Sequence, residues 1–567
     1  MSDKAIKGYE CKFGVHVPTR RPQERHDLNI IKETIHFEDG TSKPNLRFIK
    51  DYKRSFYITK KSKQNHQQKK EAEYIDNLLE KKVTQSELRD AVAKSLERSW
   101  SKESLRELAS SPFLYGTDIS STALIKKQYQ VKYPELTTSY SVCTFDIETD
   151  VVNGTNTIIM ATVCFQNQCF TAVLKDFIKG YSNIELLFTE TVNKYIKPYI
   201  EKHGMSPVLY VAIDPVDLLK TIFTKIHEWM PDFLAIWNMN FDIPQVLRVL
   251  EEHGVKPSNI LCDPRIPEDY RVCRYKPGPN KKVTASGKVI PINPAAQWHT
   301  LTNTASFYVI DAMCVYKQIR LAKQEEPSYS LDNILNKELG IRKLKFTEAD
   351  QYKGLKWHQV MQTMYKLEYI VYNIFDSLSM LELDAKTKDL CLTLPTYAGI
   401  SDFSDFKSQP KKIADALHSF CLDKGMVLGT IGSSKDQPQE DNPEDENGDI
   451  PDVINDEIMD LRNWICTLPS HMVIPGMACI EEDPTIRTNI RAYVYDADET
   501  AAYPTAVSVA NVSKSTTKRE IISIGGLEEE VFRLQNINIL AGPTNALEYS
   551  QTMFNMPKPN ELLKTFV

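Results

Sequence analysis

The stretch Thr144-Phe145-Asp146-Ile147-Glu148-Thr149 decides the fold of this chain. Small and apolar residues precede it, and residues 158–164 are apolar again after the turn Asn153-Gly154. This pattern predicts the two strands of a hairpin. Asp146 and Glu148 would then project from the same side of one strand. Adjacent carboxylates repel each other unless a cation lies between them, and Mg²⁺ prefers such ligands. Both a metal site and an edge strand with two solvated acids fit this stretch alone.

Two segments further along the chain favour the metal site. Residues 233–237 are apolar and predict a strand that leads into Asn238 and then an amphipathic helix. Asp242 lies near that strand-to-helix turn, where an aspartate is also a common N-cap. Residues 365–383 have helical periodicity, and Tyr372 and Asp376 lie on one face at i and i+4.

In this order, the three segments resemble the Exo I, Exo II and Exo III motifs of the proofreading exonuclease in family B DNA polymerases. Residues 309–317 and 327–331 are similar to the corresponding segment of T-even bacteriophage polymerases. Residues 495–505 resemble polymerase motif A. The resemblance covers roughly residues 110–515, and the ordered set is far more specific than any one motif.

The resemblance implies a set of metal ligands for the exonuclease. They are Asp146, Glu148, Asp242 and Asp376. Together they would hold two Mg²⁺ or Mn²⁺ ions, with Asp146 bridging both. Tyr372 would hydrogen-bond the attacking water, and Asn238 and Phe241 would line the path of the DNA strand.

The motif A resemblance implies a second set of roles. Asp498 would bind polymerase metals, and Tyr503 would pack under the incoming nucleotide sugar. Asp496 is an alternative register, although the spacing to Tyr503 favours Asp498. Three positions depart from the usual motif: Glu499, Ala501 and Ala502.

Two other polymerase motifs are absent from the sequence. It contains no Lys-x-x-x-Asn-Ser-x-Tyr-Gly stretch to grip a triphosphate and no Asp-Thr-Asp to supply a second polymerase carboxylate. We therefore expect fingers, thumb and the rest of the palm to come from a second polypeptide. The chain would bind dNTP only with that partner, and a sliding clamp is a further candidate partner.

The composition limits the class of protein and its location. The chain has 567 residues, of which 42% are hydrophobic, as expected for about three to five soluble domains. No apolar run approaches the roughly 20 residues that span a bilayer, and the N-terminus predicts no signal peptide. The 11 cysteines form no Cys-x-x-Cys pair, so reduced thiols in a host-cell cytoplasm are expected.

The net charge of −6 comes from one acidic segment, and the rest of the chain is basic overall. Residues 436–460 contain eleven acidic residues and no Lys or Arg, and setting those eleven charges aside leaves +5. Such a segment cannot bury a core, so we predict that it is disordered. The basic stretches at 60–70 and 271–288 fit either solvated surface or nucleic-acid contacts, and in the family a hairpin near the second separates primer from template.

The predicted fold class is α/β, with an RNase H-like exonuclease domain of mixed sheet and helices flanked by a mixed α+β N-terminal domain and a partial palm. The predicted domains are 1–140, completed by 386–434, then the exonuclease at 141–385, the acidic insertion at 435–460 and the start of the palm at 461–567.

The sequence thus predicts the N-terminal portion of a phage family B DNA polymerase with a 3′→5′ exonuclease that acts on the single-stranded 3′ end of DNA in viral replication. A stand-alone exonuclease and a catalytically dead DNA-binding module are the alternatives. A complete carboxylate set argues against the dead module, and a neighbouring gene encoding Asp-Thr-Asp would separate the other two.

Overall fold

The computed structural model describes most of the first 430 residues and two strands further along the chain. The described ranges are 4–18, 26–67, 69–98, 102–283, 288–320, 325–347, 349–407, 409–430, 517–524 and 527–534. The chain divides into two compact units, Met1–Ile454 and Asn455–Val567. The predicted acidic insertion at 435–460, Asp498 and Tyr503 all lie outside the described residues.

The first part of the chain consists of short strands and three helices. The strands are β1 (Ile6–Val17), β2 (Leu28–Phe37), β3 (Ser42–Lys50), β4 (Arg54–Thr59), β5 (Ala72–Tyr74), β6 (Leu78–Val83) and β7 (Leu114–Tyr115). The helices are α1 (Leu88–Ser95), α2 (Leu105–Leu108) and α3 (Ser121–Lys132). β1, β2 and β3 form one antiparallel sheet, and β4 lies between β6 and β7 in another.

The remaining strands of the first unit follow from residue 142 onward. They are β8 (Val142–Thr149), β9 (Ile158–Phe165), β10 (Gln168–Leu174), β11 (Ser206–Ala212), β12 (Phe233–Ile236), β13 (Cys273–Lys276), β14 (Lys281–Val283), β15 (Val289–Pro291), β16 (Thr300–Asn303), β17 (Tyr308–Asp311) and β18 (Met426–Leu428). Six of them form the central sheet in the order β11-β10-β9-β8-β12-β17. Its β8–β9 and β9–β10 pairs are antiparallel, and its other pairs are parallel.

Eleven further helices are described in this unit. They are α4 (Ile184–Tyr195), α5 (Lys197–His203), α6 (Pro215–Trp229), α7 (Met239–Glu252), α8 (Ser258–Leu261), α9 (Ala312–Ile319), α10 (Leu331–Leu339), α11 (Leu355–Met364), α12 (Lys366–Thr387), α13 (Leu394–Ala398) and α14 (Gln409–Asp423). Helices on both faces of a mixed sheet confirm the predicted α/β, RNase H-like class.

The predicted hairpin around the deciding stretch is confirmed as β8 and β9. Its turn is held by the Asp150 carboxylate, which accepts hydrogen bonds from the backbone N–H groups of Val152 and Asn153 at 3.0 Å. Gly154 has a φ of 69°, a left-handed conformation that glycine adopts without steric cost. The turn therefore fixes which residues of the two strands face each other.

Alternation along β8 gives its two faces different neighbours. Phe145 and Ile147 are buried in the core that α6 and α7 complete. Thr144 lies on the opposite face of the strand, where its hydroxyl donates to the Ser377 carbonyl of α12 at 2.8 Å. Asp146 and Glu148 therefore project toward α12.

The last described strand of the first unit, β18, packs against strands near the start of the chain. β18 pairs with β5 in antiparallel fashion, and the Gly116 N–H donates to the Leu428 carbonyl at 3.1 Å. The hydroxyls of Thr117 and Thr430 are 3.0 Å apart and buried. The domain boundaries themselves remain predictions, but this contact agrees in direction with an N-terminal domain completed by later chain.

The basic segment predicted at residues 271–288 contains β13 and β14, which pair in antiparallel fashion with the later strands β16 and β15. The β14 side chains are exposed. The backbone at Gly278 packs so closely that an added Cβ would lie 1.6 Å from the Gln297 carbonyl oxygen. Only glycine fits at this contact, and the contact fixes the base of the pair.

The second unit has a described hairpin of β19 (Thr517–Ile524) and β20 (Leu527–Leu534).

No described helix is long and apolar enough to cross a membrane. Cys164 and Cys169 oppose each other on β9 and β10 and are buried.

The core beneath β8 generates a stability prediction. Phe145→Ala should lower the free energy of unfolding by about 3–5 kcal/mol because the phenyl ring is fully buried. Phe48→Ala is the matched control, since that ring on β3 is 39% exposed, and its cost should stay below about 1 kcal/mol. Urea unfolding followed by fluorescence measures both, and equal costs would contradict the assigned core.

Candidate active site

Three carboxylates meet between β8 and α12. Oxygen atoms of Asp146, Glu148 and Asp376 all lie within 4.8 Å of one another. Asp146 and Glu148 come from alternate positions of the strand, and Asp376 comes from the helix packed across it. Sequence reasoning predicted all three, and the fold brings them together.

Asp242 lies in the first turn of α7 and is buried. It does not join the group of oxygens within 4.8 Å. Its charge nevertheless acts on the group, because it is the largest electrostatic contributor to the raised pKa of Asp146 after burial. The fourth predicted ligand therefore borders the trio of Asp146, Glu148 and Asp376.

Burial raises the pKa of every carboxylate in the site, and repulsion from neighbouring site acids adds to it for Asp146, Glu148 and Asp242. Burial, followed by the neighbouring acids, holds the pKa of Asp146 well above its ordinary value. Burial is also the main reason that the pKa of Glu148 rises to about 7 and that of Asp242 rises far above normal. The site therefore favours a bound cation, which would relieve both effects.

A lysine supplies positive charge to the trio. The Lys343 ammonium donates to Asp376 Oδ2 at 2.5 Å and to the Tyr372 hydroxyl at 3.1 Å. Burial opposes its charge, but Asp376 and Tyr372 outweigh burial and raise the pKa of Lys343 well above normal. The Asp332 carboxylate of α10 accepts the Lys343 backbone N–H at 2.9 Å, which fixes this segment.

Sequence reasoning missed Lys343. It stands in the basic run Arg342-Lys343-Leu344-Lys345, and no periodicity distinguishes it from its neighbours. Only the approach of this segment to α12 selects it.

Tyr372 lies one helical turn before Asp376, as predicted, with its ring packed among other aromatic rings. The centroid of Trp357 is 5.0 Å away, and the ring of Tyr369 is stacked at 6.0 Å. Burial raises the pKa of Tyr372 strongly, so its hydroxyl keeps its proton. It can therefore donate a hydrogen bond within the site.

Two further residues of α12 bind the strand carboxylates. Asn373 donates from Nδ2 to Asp146 Oδ2 at 2.7 Å, and the Tyr369 hydroxyl donates to Glu148 Oε2. Both were missed, although positions 369, 372, 373 and 376 share one helical face. That spacing was the available signal.

Asn238 and Phe241 lie at the start of α7. Both side chains are exposed, and Phe241 is 39% accessible to solvent. An exposed phenylalanine beside a polar amide can receive a stacked base. Their predicted role as strand-lining residues remains a prediction, as do the roles of Asp498 and Tyr503, which lie outside the described residues.

The donor set fits a hard divalent cation. The trio offers carboxylate oxygens alone, the ligand type that Mg²⁺ and Mn²⁺ prefer. Asp376 Oδ1 is buried and has no hydrogen-bond partner. An unpaired buried oxygen is costly, and a bound ion would satisfy it.

The segment that contains the β8 carboxylates is similar to known proteins. Residues 112–334 match the family model described as DNA polymerase family B, exonuclease domain. This segment is similar to the exonuclease domains of family B DNA polymerases. The match includes Asp146, Glu148 and Asp242 and ends before α12. Tyr372 and Asp376 lie beyond the matched segment.

A DNA-directed DNA polymerase of Escherichia phage RB69 is 25% identical over 313 residues. The alignment covers 54% of this chain and 27% of that polymerase. The chain thus spans about a quarter of the relative it matches, and the likeness supports the phage family B resemblance drawn from the motifs.

The repulsion among the carboxylates of the candidate site leads to a stability prediction. Asp146→Asn should raise the melting temperature in EDTA by about 2–4 °C, because it removes one buried charge and Asn can still accept from Asn373. Added Mn²⁺ should raise the melting temperature of the wild type and leave that of the variant nearly unchanged. Scanning calorimetry with and without Mn²⁺ measures this, and an equal Mn²⁺ shift in both proteins would contradict the site.

Proposed function

We propose that this protein is a metal-dependent 3′→5′ DNA exonuclease and forms the N-terminal portion of a phage family B DNA polymerase. One observation carries the proposal. Asp146, Glu148 and Asp376 lie around one point with Tyr372 close by, in a chain whose residues 112–334 match the family B exonuclease model.

Four carboxylates would hold the metal: Asp146, Glu148, Asp242 and Asp376. Two Mg²⁺ or Mn²⁺ ions, when bound, would supply an activated water and neutralise charge on the leaving oxygen. Tyr372 keeps its hydroxyl proton and would orient the water that attacks the terminal phosphodiester. Lys343 brings positive charge to the same place, where a phosphate enters.

The substrate would be the single-stranded 3′ end of DNA. A base stacks on an aromatic side chain with little preference for its identity, and Phe241 is exposed at the start of α7. Asn238 would bind beside it. A mismatched end frays more easily than a paired one, so such a site would remove mismatches first.

The exonuclease proposal has a direct test. Purified protein should shorten a 5′-labelled single-stranded oligonucleotide from its 3′ end with Mg²⁺ or Mn²⁺. Asp146→Ala combined with Glu148→Ala should reduce the rate by at least about 10³-fold, because the metal loses two ligands. The control Asp214→Ala alters the N-cap of α6, outside the trio, and should keep full activity. Undiminished activity in the double variant, at unchanged fold by circular dichroism, would refute the assignment.

The name of the phage relative supports a second activity. Within this proposal, Asp498 would bind polymerase metals and Tyr503 would contact the nucleotide sugar. A second chain would supply the remaining palm, fingers and thumb, so that dNTP is bound only in the complex. Replication in the host cytoplasm and contact with a sliding clamp belong to the same proposal.

The polymerase proposal predicts a separation of activities. The chain alone should not extend a primer, and its complex with the product of a neighbouring gene should. Asp498→Asn in this chain should abolish extension by the complex while sparing the exonuclease. Primer extension and 3′ degradation are assayed on the same labelled duplex. Extension by the chain alone, or unchanged extension by the Asp498→Asn complex, would overturn the proposal.

A further inference from the structure

Helix α11 is hydrogen-bonded to the backbone at the end of β8, directly after Glu148. Gln362 is buried and donates from Nε2 to the Thr149 carbonyl at 2.8 Å. Its Oε1 accepts the Val151 N–H at 3.1 Å. One side chain of α11 therefore fixes the backbone on the C-terminal side of Glu148.

The same helix also reaches Glu148 through a tyrosine. The Tyr369 hydroxyl donates to Glu148 Oε2, and Nδ1 of His358 lies 2.8 Å from that hydroxyl. Gln362 Nε2 is 3.4 Å from it. Since a hydroxyl has one proton and Tyr369 gives it to Glu148, His358 and Gln362 must donate to the tyrosine oxygen. His358 therefore carries its proton on Nδ1.

Aromatic rings pack around His358 and Tyr369, the two ring side chains that link α11 to Glu148. Trp357 contacts the ring of His358 edge-on with centroids 4.9 Å apart, and lies 6.1 Å from Tyr369. Tyr369 is fully buried. The buried Tyr369 ring has little freedom to turn, so the direction in which its hydroxyl points is set.

We propose that His358 and Gln362 are positioning residues that act through Tyr369 to orient Glu148 for metal binding. The inference rests on the proposed function, because it assigns Glu148 as a ligand. Residues that hydrogen-bond a ligand orient it, and their loss typically costs about 10–100-fold in metal affinity or activity. His358, Gln362 and Tyr369 all lie beyond the segment matched by the family model, which ends at residue 334.

A purely structural role for His358 predicts something different. If α11 only covered the sheet, loss of His358 would lower the melting temperature and leave the metal affinity of the folded protein unchanged. If His358 orients Glu148, the metal affinity falls and a side chain with an N–H donor at the same place restores it. The two roles are therefore separable by binding measured apart from stability.

The test uses the full chain and Mn²⁺ binding by isothermal titration calorimetry. His358→Ala and Tyr369→Phe should each weaken Mn²⁺ binding by about 10-fold, because Glu148 loses its fixed orientation. His358→Asn retains an N–H donor near the position of Nδ1 and should recover binding to within about threefold of the wild type. Melting temperatures in EDTA, measured in parallel, report whether each variant is folded.

The matched control is His203→Ala. His203 also binds a carboxylate, with Nε2 2.6 Å from Glu382 Oε1, but Glu382 is outside the trio, so Mn²⁺ binding should not change. Wild-type affinity in both His358→Ala and Tyr369→Phe, or equal losses in His358→Ala and His358→Asn, would overturn the inference. If His358→Ala does not fold, the other two variants are compared instead. Wild-type affinity in Tyr369→Phe, or a loss in His358→Asn as large as that in Tyr369→Phe, would then overturn the inference.

Failure of the proposed function gives a different result. Wild-type protein that binds no Mn²⁺ and degrades no DNA would overturn both proposals together. Wild-type protein that binds Mn²⁺ and degrades DNA, with unaltered Mn²⁺ affinity in the folded variants, would overturn the role of α11 alone.

Discussion

The repulsion among buried carboxylates at one end of the central sheet is the constraint on which the rest of the exonuclease domain depends. Asp146 and Glu148 leave β8 on the side of α12 because their neighbours Phe145 and Ile147 occupy the opposite core. Removing acids from water is costly unless they are paired or hydrogen-bonded. The surrounding elements therefore supply donors, namely Asn373, Tyr369 and Lys343.

Most of those donors come from one helix. α12 presents Tyr369, Asn373 and Asp376 to the strand on a single face, and the hydrogen bond from Thr144 to Ser377 ties the same helix to β8 at 2.8 Å. The register between strand and helix therefore sets all of these distances at once. A shift of α12 by one residue would turn this face away and leave the strand carboxylates without partners.

The sequence predicted those parts of the site that depend on local spacing. Asp146 and Glu148 follow from the period of a strand, and Tyr372 with Asp376 follows from the period of a helix. Lys343 and His358 could not be predicted in this way, because their partners are 33 and 11 residues away and no repeat links them. The turn at Gly154 and the class of the sheet could be predicted, because they follow from residue types with strong backbone preferences. The pairing of β18 with β5 could not be predicted, because it depends on contacts between distant parts of the chain.

That pairing affects how the protein is made. Thr117 and Thr430 bond to each other although 313 positions separate them, so the first strands emerge from the ribosome long before their partner. At about 5–20 residues per second the interval is roughly 15–60 s. During that time β5, which forms a two-stranded sheet with β18, has no strand beside it, and an unpaired strand can bind other chains. The exonuclease sheet lies entirely between the two halves of this contact, so it can fold first and then bring β18 back to β5.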